Sequence, residues 1–275
     1  MNGPQILRLP DGRLHLHHGP IDLICEARGP EAAVAQAYKN AARRFDGLLE
    51  ELVAELPALR QENVAVYGSI ARKMAAAVAP FRPSFITPMA AVAGAVAETV
   101  LAEMSCADVT RAYANNGGDI ALYLAPGRSL TAAIAGTPHR VTINAADPMR
   151  GIATSGWRGR SFSLGIADYV TVLAKTATMA DAAATMIANA VNLPGHPAIS
   201  RTPANSLQCD SDLGDRLVTT GVGPLTPNEG LSALEQGVAL AFSFRARGLI
   251  AGAALSLNSH LRTLGALCLT EPAHA

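Results

Sequence analysis

Asn115-Asn116-Gly117-Gly118 separates two short runs of strand-forming residues, 109–114 and 120–124, and this stretch is the clearest guide to the fold. Consecutive glycines after asparagine are typical of the tight turn of a β-hairpin, because both central positions of such a turn need a positive φ. Similar runs at 130–134, 140–144 and 169–173 continue the pattern. The middle of the chain is therefore predicted to form an antiparallel sheet.

The segments on either side of this region extend the prediction. Apolar or alternating runs broken by Asp11-Gly12 and Gly19-Pro20 predict three early strands, and apolar residues at helical spacing predict five helices. The strands are 6–9, 14–17 and 21–27; the helices are 30–56, 64–79, 87–104, 179–190 and 227–247; residues 192–212 are a surface or site loop, and 249–257 pairs with 261–269.

Strands and helices thus come in blocks instead of alternating, and no internal repeat is present. This order favours an α+β fold with a mostly antiparallel sheet and helices packed on it. The 275 residues, 49% of them hydrophobic, are enough to bury a large core. We expect a single domain over residues 1–275, built as two intimate lobes.

Composition excludes several classes of protein. Lys plus Arg and Asp plus Glu number 22 each, and only 4% of the residues are aromatic. The chain therefore has neither the basic patch nor the stacking surface of a nucleic-acid-binding protein. Its apolar runs are shorter than the roughly 20 residues that span a bilayer, and prolines interrupt the first residues where a secretion signal would lie. We expect a cytoplasmic protein with no nucleic-acid or membrane partner.

The cysteines offer no metal or disulfide framework. They lie far apart, without a CxxC pair, which favours buried thiols over zinc ligands. They are Cys25, Cys106, Cys209 and Cys268.

The sequence Ala180-Asp181-Ala182-Ala183-Ala184-Thr185 places a carboxylate and a hydroxyl four residues apart in a predicted helix. This spacing presents both oxygens on one helix face, where they could bind a hard cation, best matched by Mg²⁺. In the structural alternative, Asp181 helps to cap the helix and Thr185 bonds a backbone carbonyl.

Two further small-residue stretches could contact a phosphorylated ligand. The turn Asn116-Gly117-Gly118-Asp119 could offer backbone N–H groups to a phosphate, or it could be an ordinary hairpin turn. The stretch Thr154-Ser155-Gly156 offers hydroxyls and a bare backbone beside Trp157, Arg158 and Arg160, or it could be a tight loop that satisfies its own backbone.

Other candidates are weaker. Ser155 does not lie in a GxSxG sequence and has no nearby histidine, which argues against a hydrolase nucleophile. His15 and His17 lie on one face of a predicted strand next to His18, which could bind a metal but is more typical of a half-exposed strand edge.

The order of these motifs resembles the superfamily of FAD:protein FMN transferases, and more closely its shorter branch of ApbE-like proteins of unknown function. The likeness covers roughly residues 87–191, and residues 154–168 look like the hallmark of the short branch. Its strongest pieces are Asn116-Gly117-Gly118-Asp119-Ile120, Ala153-Thr154-Ser155-Gly156 and Ala180-Asp181-Ala182-Ala183-Ala184-Thr185. The resemblance implies an ApbE-like (T-fold-like) α+β fold.

In the transferases, the aspartate and threonine of the last motif hold magnesium near the FAD pyrophosphate, and FMN is attached to a threonine of a partner flavoprotein. The resemblance therefore implies Mg²⁺ on Asp181 and Thr185, with Asp181 as the catalytic residue, and an acceptor flavoprotein as a partner. It also leaves a homo-oligomer open. FAD or FMN would contact Asn116, Gly117, Gly118, Asp119, Thr154, Ser155, Gly156, Arg158 and Arg160.

Two parts of the transferase pattern differ here. The helix that carries a lysine in Ala-Lys-Gly-Tyr-Ala-Val-Asp reads Val92-Ala93-Gly94-Ala95-Val96-Ala97-Glu98, and the His-x-Ile-Asp-Pro segment is absent. Arg158 or Arg160 could replace the missing cation. Three hypotheses remain: transfer or hydrolysis at a flavin pyrophosphate, a non-catalytic carrier or assembly protein that kept the fold, and a site adapted to another phosphorylated heterocycle of the pterin type.

Overall fold

A computed structural model describes residues 3–265 of the chain. This part contains thirteen strands and eight α-helices, in the order of the sequence. The strands are β1 (Gln5–Arg8), β2 (Leu14–His18), β3 (Ile21–Arg28), β4 (Arg111–Asn116), β5 (Asp119–Leu124), β6 (Ser129–Ala133), β7 (Arg140–Asn144), β8 (Gly151–Ser155), β9 (Tyr169–Ala174), β10 (Ile199–Pro203), β11 (Leu217–Val222), β12 (Gly252–Leu257) and β13 (His260–Gly265). The helices are α1 (Glu31–Phe45), α2 (Leu48–Ala54), α3 (Leu56–Leu59), α4 (Ser69–Val78), α5 (Val92–Met104), α6 (Ala177–Ala190), α7 (Ala204–Leu207) and α8 (Pro227–Ala246), with short 3₁₀ helices at Ala79–Phe81 and Pro88–Ala91.

Nine strands form one continuous sheet in the order β1-β2-β3-β4-β5-β8-β9-β12-β13, and every neighbouring pair is antiparallel. Two small antiparallel pairs, β6–β7 and β10–β11, lie outside this sheet. The predicted α+β class with a mostly antiparallel sheet and packed helices is confirmed.

The large core lies between this sheet and the helices. Val96 and Val100 of α5 and Ile187 of α6 are buried in one cluster with apolar residues of β4, β5, β8 and β9. On the opposite face, a smaller cluster forms under the β6–β7 pair, where Val141 and Ile143 join residues from β5, β8, β9 and β12. The central strands are therefore covered on both faces, and the sheet edges carry the exposed positions.

Glycine allows helices α5 and α6 to approach each other closely. A Cβ at Gly94 in α5 would overlap the carbonyl group of Ala177 at the start of α6, and one at Gly151 in β8 would overlap the backbone of Thr176. Helix α6 is thus pressed against both α5 and the sheet. This contact fixes the position of Asp181.

Several predicted boundaries are wrong for local reasons. The helix predicted over 30–56 breaks after Phe45, because Gly47 has φ +77 and the chain turns there. The helix predicted over 64–79 begins at Ser69. Residues 192–212 contain β10 and α7, and β11 follows, none of which was predicted. Residues 266–269 of the predicted last strand lie outside the described residues.

Candidate functional site

A cavity of about 560 Å³ lies between the β4–β5 turn, the end of β8 and helices α5 and α6. Most of the residues singled out from the sequence surround it, although they come from three separate motifs. Those that line it are Asn116, Gly117, Asp119, Thr154, Ser155, Arg158, Arg160, Asp181 and Thr185. Gly118 and Gly156 do not line it; Gly118 lines a second cavity of about 640 Å³ on the β6–β7 side.

Helix α6 supplies Asp181 and Thr185. Its N-cap is Thr176, whose Oγ1 accepts a hydrogen bond from the Met179 N–H. Asp181 is therefore not the cap, and that alternative is wrong. Asp181 Oδ2 instead accepts a hydrogen bond from the Gly94 N–H, and the two atoms are 2.9 Å apart. The Thr185 hydroxyl forms no hydrogen bond with the described part of the chain and lines the cavity one turn further along.

Asp119 is the first residue of β5 and is buried, with a relative exposure of 8%. Its Oδ1 accepts from the Thr154 N–H of the neighbouring strand over 3.1 Å. Burial raises the pKa of Asp119 to about 7, although that hydrogen bond and the charge of Arg160 act in the opposite direction.

The pKa of Asp181 is also raised, first by burial and then by the charge of Asp119. Neither carboxylate forms an ion pair with any residue in 3–265. Two acidic groups with raised pKa values thus face one cavity without a cationic partner at contact distance. This arrangement favours a bound proton or a bound cation.

The double-glycine turn is an ordinary hairpin turn that also borders the cavity. Gly117 and Gly118 have φ +66 and +115, and the Gly118 N–H donates to Asn115 Oδ1 over 2.8 Å. The Asn116 amide donates to the Ala93 carbonyl and accepts from the Asp22 N–H. These groups are already engaged, so Gly117 is the part of the turn that leaves room at the cavity wall.

Residues Ala153 to Ser155 lie in a strand, so the alternative of a tight loop is wrong for them. They form the end of β8, which pairs with β5 through Gly151 and Ile152 and with β9 along its whole length. The Thr154 hydroxyl pairs with that of Thr171 at 3.0 Å. Gly156 packs against the carbonyl of Asp168, where a Cβ would overlap, so its role is in packing.

The two arginines of the following loop differ in their partners. Arg158 Nε donates to Asp168 Oδ1 over 2.6 Å, and this buried carboxylate also accepts from the Trp157 indole and the Asn258 N–H. Arg160 forms no ion pair with a described residue, and its guanidinium lies directly over Gly117. Arg160 is therefore the one of these two cations that is not paired with a carboxylate of the described residues.

Sequence reasoning missed one wall of the cavity. Arg60, at the end of α3, and the segment 208–213, between α7 and β11, line it, together with Met89 and Phe162. Arg60 belongs to no motif, so no local pattern could have identified it. The proline- and serine-rich character of residues 192–212 had indicated a surface or site loop, and part of that segment does border the cavity.

The remaining candidates lie elsewhere. His15 and His17 lie half-buried on the outer face of β2, where His15 pairs with Asp22. The strand β2 is not at the edge of the sheet, as the structural alternative had it, because β1 pairs with its free side. Within residues 3–265, no group of three His, Cys, Asp or Glu side chains is arranged to hold a metal ion.

The cysteines differ in burial. Cys25 is buried, and burial raises the pKa of its thiol to about 12. Cys209 is exposed and Cys106 is only partly buried, so the expectation of buried thiols is wrong for these two. Cys268 lies outside the described residues.

A family described as AbpE bacteria matches residues 6–263, nearly all of the chain. The chain belongs to this family. It is a member of the ApbE-like superfamily, in which the UPF0280 proteins are relatives.

Three UPF0280 relatives show how far the likeness extends. The protein of Methanococcoides burtonii is 37% identical over 42% of this chain and 49% of its own length, and that of Archaeoglobus fulgidus is 34% identical over 42% and 49%. The protein of Methanopyrus kandleri is 34% identical over 51% of this chain and 59% of its own. The AbpE family chain thus spans about half the length of the curated relatives it matches.

Two solved structures are also similar. The flavinyl transferase ApbE of Pseudomonas stutzeri is 17% identical, with a TM-score of 0.35 and coverage of 87% of this chain and 73% of that one. A variant of the flavin transferase ApbE from Vibrio cholerae is 13% identical, with a TM-score of 0.44 and coverage of 96% and 97%. In the described part of this AbpE family member, no helix has the length and apolar character needed to cross a membrane.

Proposed function

We propose that the cavity binds a divalent cation, best matched by Mg²⁺, together with a phosphorylated flavin-type ligand, FAD or FMN. With FAD, the protein acts at the pyrophosphate by transfer or hydrolysis. The observation that carries this proposal is the convergence of Asp119, Asp181 and the Thr185 hydroxyl on one cavity. Membership of the ApbE-like superfamily supports the flavin part, since two similar structures carry the name flavin transferase.

The donor set fits a hard cation. Mg²⁺ prefers oxygen ligands and keeps several waters or substrate phosphates in its shell, so it needs few protein ligands. Asp181 and Thr185 offer a carboxylate and an unengaged hydroxyl one helical turn apart, and Asp119 adds a second carboxylate. A cation bound there would offset the lost solvation and the repulsion from Asp119 that together raise the pKa of Asp181. When bound, it would withdraw charge from the phosphate oxygens.

The protein's own groups would position the ligand. The Gly94 N–H holds Asp181 in a fixed orientation, and the Thr154 N–H does the same for Asp119. Arg160 extends over Gly117 toward the cavity, where its guanidinium can pair with a phosphate. Met89 and Phe162 give the cavity an apolar portion that suits a heterocyclic ring.

A second candidate function is a carrier that binds the ligand without turning it over. One observation favours it: the described residues that line the cavity include neither lysine nor histidine. Ala93 stands where the transferase pattern has its lysine. If Asp119 and Asp181 hold the cation, no lysine or histidine of the described lining remains to move a proton, and binding would not lead to cleavage.

The test separates these functions. Purified protein is incubated with FAD and MgCl₂, with and without EDTA, and FAD, FMN and AMP are quantified by chromatography while flavin binding is followed by fluorescence. Release of AMP supports the enzyme, and tightly bound, unaltered FAD supports the carrier. Absence of flavin binding in the presence of Mg²⁺ would contradict both.

Asp181→Asn tests the metal site, with Asp46→Asn as the matched control because Asp46 is exposed and distant from the cavity. We expect Asp181→Asn to lower the affinity for Mg²⁺ at least about tenfold, since a carboxylate ligand is lost. Equal affinities in the two variants would remove Asp181 from the site.

If AMP is released, addition of a candidate acceptor flavoprotein shows whether FMN is transferred to it.

A further inference from the structure

Arg60 reaches the cavity from the end of helix α3. Its Nη2 lies 2.7 Å from Asp210 Oδ2, in the segment 208–213 that forms this wall. The Arg60 side chain is 25% exposed and the Asp210 side chain is 54% exposed. The pair therefore lies at the mouth of the cavity, partly in contact with solvent.

This ion pair is easier to exchange than the other arginine pair of the cavity. Arg158 is bound to Asp168, whose side chain is only 10% exposed and which would be left as a buried charge without its cation. Loss of one partner from a buried pair is strongly destabilising, whereas exposed pairs contribute little. An entering anion can therefore compete for Arg60 at low cost, but not for Arg158.

The wall stays in place when Arg60 changes partner. Asp210 Oδ1 also accepts from Gln208 Nε2 over 3.1 Å, so this carboxylate keeps a hydrogen bond within its own segment. Asp212, two residues further on, accepts from the buried Thr87 hydroxyl and ties the same segment to the chain before α5. The guanidinium of Arg60 can therefore turn toward the cavity without loss of the segment that covers it.

We infer that Arg60 is a polyphosphate-binding residue and that Asp210 competes with the ligand for it. Two phosphate groups of a nucleotide would then be bound by Arg60 and Arg160, with the carboxylates of Asp119 and Asp181 at the cation. This inference rests on the proposed function for the class of ligand, a polyphosphate bound with a divalent cation. It adds a second cationic contact and a residue, Asp210, that weakens binding.

The test compares Asp210→Asn, Arg60→Gln and the double variant by isothermal titration calorimetry at low salt. The probes are FAD with MgCl₂ and, separately, inorganic pyrophosphate with MgCl₂. We expect Asp210→Asn to bind both probes about three- to tenfold more tightly, and Arg60→Gln to bind them about tenfold more weakly. The double variant should match Arg60→Gln, because Asp210 acts only through Arg60.

Glu235→Gln is the control, since Glu235 forms an exposed ion pair with Arg262 away from the cavity. Weaker or unchanged binding in Asp210→Asn would overturn the inference, because Asp210 would then support the site or be irrelevant to it. If pyrophosphate binds and FAD does not, the flavin proposal fails and the competition is still read from pyrophosphate. If FAD binds equally to all variants, the inference fails and the proposed function stands. If neither probe binds, both fail.

Discussion

Burial and then the charge of Asp119 raise the pKa of Asp181, although Asp119 begins a strand and Asp181 lies in a helix from a distant part of the sequence. Both carboxyl groups also lose solvation, and burial is the larger cause for each. The fold therefore maintains a repulsive pair of acids at the wall of a cavity. A proton or a cation would relieve the repulsion, and this property makes the site testable without knowledge of the ligand.

The first prediction concerns the pH dependence of stability. The pKa of Asp119 is about 7 in the folded protein, against about 3.9 for an unperturbed aspartate. Between these values, the unfolded chain has released its proton while the folded protein still binds one, so stability falls as the pH rises. We expect the thermal midpoint to be several degrees lower at about pH 8 than at about pH 5.

Asp119→Asn should remove much of this decline, and Asp46→Asn should not. Because a cation replaces the proton, MgCl₂ should raise the thermal midpoint more at the higher pH than at the lower one. A wild-type midpoint that rises steadily over this range would contradict the raised pKa of the pair.

The second prediction separates the two loop arginines. Arg158→Gln removes the cation from the buried Asp168 carboxylate, which keeps the donors of Trp157 and Asn258, so we expect a loss of about 1–3 kcal/mol in the free energy of unfolding. Arg160→Gln should change stability by less than about 1 kcal/mol but weaken pyrophosphate binding about tenfold. Chemical denaturation and calorimetry on both variants give the two readouts. The reverse pattern would assign the ligand contact to Arg158.

The third prediction concerns the contact between α5 and α6. In Gly94→Ala, the new methyl group would overlap the Ala177 carbonyl, which is backbone and cannot move aside cheaply. We expect a loss of about 1–3 kcal/mol in the free energy of unfolding and weaker Mg²⁺ binding, since the Gly94 N–H would shift away from Asp181. Gly3→Ala, at a position with open space around it, is the control. Unaltered stability in Gly94→Ala would show that the helices are less closely packed than described.

The fourth prediction uses two threonines whose hydroxyls lack a hydrogen bond within residues 3–265. Thr185→Val should lower the affinity for Mg²⁺ while it leaves stability nearly unchanged, because the hydroxyl faces the cavity. Thr99→Val should leave Mg²⁺ binding intact and stabilise the protein by about 1 kcal/mol, since Thr99 Oγ1 is buried without a partner. Thermal unfolding and metal titration of both variants check this contrast. Equal Mg²⁺ affinities would argue against Thr185 as a ligand.

The sequence predicts the central hairpin well because its turn is specified locally: Asn115 and the two glycines need no distant partner. It predicts the placement of Asp181 and Thr185 on one helix face for the same reason. The strand at β8 was not predicted because it is only five residues long and its strand-favouring Ile152 and Thr154 alternate with glycine, alanine and serine. Its pairing with the two neighbouring strands determines its structure.

The contribution of Arg60 could not be read from the sequence. It enters the site only through the tertiary contact that brings α3 beside the segment 208–213. The sequence could not show that Arg158 is paired and Arg160 is not, for a similar reason. Both residues follow the same motif, and only Arg158 forms an ion pair with the buried Asp168. Charges near a motif thus identify candidates, and the fold decides which of them are neutralised.

The missing side chain of Gly117 leaves room for a residue outside the turn. Where another residue would place its first side-chain carbon, this chain accommodates the end of Arg160. The cavity thereby receives a positive charge from the loop after β8, whereas helix α5 has an uncharged alanine at position 93. A side chain at this position would displace the guanidinium and would also strain a backbone with φ +66, so the dependence on charge from this direction is better measured in a series of substitutions at Arg160, which leaves the turn unchanged.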